Sequence, residues 1–136
     1  MTSHDPEKLA REVLARMSSR DFDGVAELLA DDFEFDLAYA PEMLPMPTRG
    51  RDAFVELTTT IIGAMFDPMV LTVTTAHPCA DAATVVLEYT SDGVVTHNGN
   101  RYENRYAGIF RANDEGLLEF WREFHNPEEA TRALGG

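Results

Sequence analysis

The sequence predicts an α+β fold, with helices first and an antiparallel meander after them. Three observations predict it. Apolar residues recur at helical spacing up to about residue 66, the period changes to two after Asp67-Pro68, and turn residues such as Asn98-Gly99 divide the second half. Helices followed by strands define the class, and 136 residues fit one domain, 1–136.

Asp5-Pro6-Glu7 is a helix start, with a capping acceptor, Pro at the first helical position and an acid in the first turn. Leu9, Val13 and Met17 give that helix its stripe. Asp21 opens a second helix with Phe22, Val25, Leu28 and Leu29 inward, closed by Asp31-Asp32. Phe33, Phe35 and Leu37 alternate with Glu34 and Asp36 as a short strand. From Tyr39 to Gly50, three prolines forbid regular structure, while Met43, Leu44 and Met46 are too apolar to lie free in water, so this segment is expected to cover a cavity mouth. A third helix, 51–66, turns Phe54, Leu57, Ile61 and Met65 inward across a β-branched stretch, Thr58 to Ile62. Strands follow at 70–77, 82–96 with a break near Asp92-Gly93, 102–112 and 117–125, with a two-residue hairpin at Asn98-Gly99.

Composition narrows the function. Eleven Lys and Arg against 24 Asp and Glu give a net charge of -13, which disfavours nucleic acid and anionic membranes as partners. No Lys or Arg lies between Arg51 and Arg101, so a ligand in mid-fold meets no cation from that stretch, and a small apolar or weakly polar molecule fits best. The lone Cys79 makes no intrachain disulfide and reads as a small apolar filler. With no apolar leader or spanning run, a cytoplasmic setting is expected. No His or carboxylate pair has metal-ligand spacing, and neither a phosphate-cradling glycine loop nor a dinucleotide fingerprint occurs, so neither metal nor cofactor is expected. His4, His77 and His97 read as loop or strand-end residues.

The last strand holds the candidate chemistry. Alternation puts Trp121, Glu123 and His125 on one face and Phe120, Arg122 and Phe124 on the other. A carboxyl group between an indole and an imidazole can act as a general acid or base. A four-residue turn, Asn113 to Gly116, would set Tyr106 opposite Glu123, Asn104 opposite His125 and Gly108 opposite Trp121. One more turn residue would instead set Arg105 opposite Glu123 and leave a surface ion pair. In the first register Tyr106 donates to a substrate oxygen with Asn104 orienting it, and His125 either relays a proton or is solvated at the strand exit. Trp121, Asn104, Gly108, Tyr89, Phe35, Tyr39 and Met43 are then the candidate substrate-binding residues.

The segments Arg20-Asp21-Phe22-Asp23-Gly24-Val25, Gly50-Arg51-Asp52-Ala53 and Gly108-Ile109-Phe110-Arg111, in this order, resemble the nuclear transport factor 2-like superfamily. Tyr102-Glu103-Asn104-Arg105-Tyr106 and Arg122-Glu123-Phe124-His125-Asn126-Pro127 look most like SnoaL-like polyketide cyclases and phenazine-biosynthesis A/B proteins. The resemblance implies a cone-shaped, cystatin-like fold in which three N-terminal helices pack on a strongly bent, mostly antiparallel sheet around a pocket, commonly as a homodimer. It also places Glu123 at the pocket acid/base position. The three catalytic groups of ketosteroid isomerase would fall on Leu37, Val13 and Gly108 and are missing, the Arg of limonene epoxide hydrolase is absent, and the third-helix His of phenazine proteins has no counterpart in 51–66. The expected function is a cofactor-independent isomerase, cyclase or dehydratase acting on an apolar carbonyl compound, with a non-catalytic binding protein of the same fold as the alternative.

Overall fold

A computed structural model describes residues 5–135, and His4 lies outside them. Asp5 caps α1 (Pro6–Ser18), accepting from the backbone N–H groups of Glu7 and Lys8 at 3.1 and 3.3 Å. Ala10, Val13 and Leu14 form its buried face. Helix α2 (Phe22–Ala26), capped by Asp21, is shorter than expected. Leu29 does not continue it but opens β1 (Leu29–Leu37), because it pairs in parallel with Leu118 of the last strand. Asp31-Asp32 therefore lies within a strand instead of ending a helix. Phe33 and Phe35 are buried on one face of β1, as the alternation requires. A two-residue strand that the prolines concealed, β2 (Thr48–Arg49), pairs with Glu34 and Phe35.

The third helix is interrupted. Helix α3 (Arg51–Leu57) passes into a π-helical turn, Thr58–Ile62, and then the short α4 (Gly63–Met65). The hydroxyls of Thr58 and Thr59 both donate to the Val55 carbonyl and that of Thr60 to Glu56, so the β-branched stretch competes for the backbone acceptors of an α-helix. The wider turn rotates the apolar stripe. Thr58, Ile62 and Met65 face inward, whereas Ile61, expected inward, borders a shallow surface depression with Met43.

Four long strands follow: β3 (Phe66–Pro78), β4 (Thr84–Val95), β5 (Arg101–Ala112) and β6 (Leu118–His125). The open six-stranded sheet has the order β2-β1-β6-β5-β4-β3, with β1 and β6 parallel and the other neighbours antiparallel. The irregularity expected near Asp92-Gly93 lies across the ladder, in β3 between Phe66 and Met69. At that point a Cβ on Gly93 would stand 2.7 Å from the Pro68 carbonyl oxygen. Asn98-Gly99 is not a two-residue turn. The ladder closes at Val95 and Asn100, and the Asn98 amide ties the intervening loop to the Ala133 carbonyl at 2.9 Å.

That carbonyl belongs to α5 (Pro127–Gly135), a helix not anticipated from the sequence, whose start is capped by Asn126. Its Ala130 and Leu134 line the same cavity as Met69 and Leu71 of β3 and Phe35 and Leu37 of β1. Strands β1 and β3 are four strand spacings apart, about 19 Å across a flat sheet. One cavity touching both requires the sheet to curl around it. Among the described residues no helix is long and apolar enough to cross a membrane.

Candidate active site

The cavity, of about 150 Å³, is walled mainly by Met, Leu and Phe side chains with Trp121. Trp121 packs edge-on against Phe35 at 5.0 Å and stacks on Phe110 at 4.9 Å. Glu123 carries the only carboxyl group among the described residues lining the cavity, and no Lys or Arg joins them. Both Trp121 and Phe35 line the cavity.

The register of the last hairpin differs from both alternatives. Gly108 lies opposite Glu123, Tyr106 opposite His125 and Phe110 opposite Trp121, because the turn closes one residue later, at Ala112 and Leu118, and a bulge at Glu119 adds a second residue to β6. The displacement from the four-residue register is two residues, which preserves every facing. Glu123 consequently still points inward, and Arg122 pairs with Asp36 at 2.9 Å on the outer face.

Gly108 determines what touches Glu123. Its missing side chain leaves room for Tyr89 to reach across from β4, and its own Cβ would stand 2.8 Å from the Tyr89 oxygen. Tyr89 donates to Glu123 Oε2 at 2.5 Å and accepts from Trp121 Nε1 at 3.2 Å. Gly108 thus accommodates a tyrosine hydroxyl and not a ligand, which corrects its expected binding role. Burial, reinforced by the neighbouring carboxyl group, pushes the Tyr89 phenol well above 10, so it remains a donor. Burial pushes Glu123 from 4.5 up to about 7, and the Tyr89 hydrogen bond opposes part of that rise. His125 also lines the cavity. Burial lowers its basicity, and its Nδ1 is buried without a partner.

Four expected placements change. Tyr106 does not reach Glu123; its hydroxyl contacts Ser91 Oγ at 2.9 Å and the Tyr102 hydroxyl at 3.0 Å. Asn104 is buried as a clasp, donating to Tyr102 and to the Asn126 carbonyl and accepting from the Asn126 N–H, which fixes the start of α5. Tyr39 is 57% exposed and packs on Phe124 of the outer face, while Met43 is 83% exposed beyond the mouth. The covering segment instead contributes Pro41, Leu44 and Met46. Tyr102 was missed, although it shares the alternation of Asn104 and Tyr106. Helix α5 was missed too, although Asn126-Pro127-Glu128-Glu129 is a capping sequence. Among the described residues no three His, Cys, Asp or Glu side chains gather as a metal-binding group.

Residues 10–120 match the SnoaL-like domain. The chain belongs to the SnoaL-like family. This SnoaL-like chain is 28% identical over 126 residues to the uncharacterized protein YesE of Bacillus subtilis strain 168, covering 93% of this chain and 84% of that one. It superposes with a TM-score of 0.87 on a candidate isomerase from Bacillus subtilis, 26% identical, over 100% of this chain and 97% of that one. With RV0760c from Mycobacterium tuberculosis, solved in complex with estradiol-17beta-hemisuccinate, the TM-score is 0.81 at 18% identity, over 93% of this chain and 97% of that one. The nuclear transport factor 2-like fold expected from the sequence is thereby shown.

Proposed function

We propose that the chain is a cofactor-independent isomerase, cyclase or dehydratase that moves a proton on a small, apolar, carbonyl-containing compound. One observation carries the reading. Glu123 is a carboxyl group poised near neutrality in an apolar cavity, held by a phenol that stays protonated. A group with its pKa near the working pH both accepts and returns a proton efficiently. Tyr89 positions the carboxyl group through Oε2, and neutral His125 lines the cavity two residues along the same face. The SnoaL-like assignment and the likeness to a candidate isomerase support the same reaction class.

A second reading, a non-catalytic binding protein, draws support from RV0760c, whose fold holds a steroid hemisuccinate. The two separate on whether Glu123→Gln removes turnover while the ligand is still retained.

The active assembly is proposed to be a homodimer joined through the outer sheet face. Val86, Ile109, Phe120 and Phe124 stand there only partly buried, and a partner would cover them. Sedimentation at micromolar concentration should find a species of twice 15.2 kDa, whereas a 15.2 kDa species alone would contradict the dimer.

A further inference from the structure

We infer that the cavity contains a second polar subsite, at the Tyr102 and Tyr106 hydroxyls, which donates a hydrogen bond to an acceptor oxygen of the ligand. The inference rests on the reading of the cavity as a small-molecule site, but not on catalysis by Glu123. Hydrogen accounting supports it. Ser91, Tyr106 and Tyr102 form a row of three hydroxyls with contacts of 2.9 and 3.0 Å, and Asn104 Nδ2 already donates to Tyr102 at 2.8 Å. Three hydroxyl hydrogens serve only two contacts between them, and the three oxygens make no other hydrogen bond among the described residues. One hydrogen is left without an acceptor.

The place of that hydrogen depends on the direction of the row. If Tyr102 donates to Tyr106 and Tyr106 to Ser91, the surplus is on Ser91, which is buried and does not line the cavity. An unpartnered buried donor is unfavourable. If Ser91 donates to Tyr106, the surplus passes to one of the two tyrosines, and both line the cavity. A ligand oxygen that accepts this hydrogen therefore satisfies the row and selects its direction. The two phenols remain protonated, since burial raises both above 10. The ligand class is an apolar molecule with a carbonyl or ether oxygen, and not one with a cationic group.

The test compares two single-ring probes of nearly equal shape that suit a cavity of about 150 Å³: acetophenone, and α-methylstyrene, in which CH₂ replaces the carbonyl oxygen. By titration calorimetry the protein should bind the ketone about three- to tenfold more tightly. Tyr102→Phe combined with Tyr106→Phe should abolish the preference while α-methylstyrene binds as before, which also shows that the variant is folded. The preference should persist at pH 9, where Glu123 is ionised and cannot donate. Equal binding by the parent protein, binding of neither probe, or a preference that survives the double substitution would overturn the inference. A preference lost at pH 9 yet kept at pH 5 would assign the donor to Glu123, overturning the subsite while leaving the proposed function intact.

Discussion

Glu123→Gln is expected to lower turnover by about 100-fold or more while ligand retention changes little, because the substitution keeps the shape and the acceptor for Tyr89 but cannot transfer a proton. Exchange of the α-protons of an apolar β,γ-unsaturated ketone in D₂O, followed by NMR, measures this whatever product forms. The same variant has a stability signature of definite sign. The folded protein holds its Glu123 proton up to about pH 7, whereas an ordinary carboxyl group releases it near 4.5. The contribution is therefore fully present below pH 4.5 and lost as pH rises towards 7, at a cost of roughly 3 kcal/mol. Glu123→Gln should accordingly melt above the parent protein at pH 8, with the difference closing at pH 4. Unchanged turnover would remove the catalytic reading and leave the binding one.

Gly108→Ala is expected to destabilise the protein by about 1–3 kcal/mol and to disturb the site. An alanine usually stabilises a strand relative to glycine, so a loss here is diagnostic. The added carbon would lie 2.6 Å from Phe110 Cε1, 2.8 Å from the Tyr89 oxygen and 3.0 Å from Trp121 Nε1, all within a packed wall. The Phe110 ring and the Tyr89 hydroxyl must both give way. The Tyr89 hydrogen bond favours the charged form of Glu123, so displacement of the hydroxyl should raise the Glu123 midpoint above that of the parent protein. Chemical denaturation together with the pH profile of proton exchange checks both effects. A variant as stable as the parent, with an unchanged profile, would show that Gly108 does not set the Tyr89 contact.

The sequence made one face of β6 legible because alternation depends only on strand period, so Trp121, Glu123 and His125 could be put on a common face, while whether that face met the cavity depended on the register. The register itself was not legible. It depends on a turn that closes at Ala112 and Leu118 and on a bulge at Glu119, and nothing local distinguishes Glu119 from a regular ladder position. The Tyr89 contact was equally hidden, since it joins β4 to β6 across β5 and exists only because Gly108 is empty there. Leu28-Leu29 could have ended a helix or begun a strand, and pairing with Leu118 decided it. Tyr39 and Met43 were placed by composition alone. An apolar loop must cover something, but which side chains turn inward depends on the backbone path between the prolines. Helix α5 differs from these, since its capping residues were present to be read.

The proton transfer proposed for the site depends on the fold holding Glu123 as a neutral acid beside a cavity. Following the Glu123 carboxyl carbon by NMR through a pH titration reads that property at the residue itself. The midpoint should lie near 7, and a midpoint at or below the ordinary 4.5 would contradict the neutral acid and the proton transfer built on it.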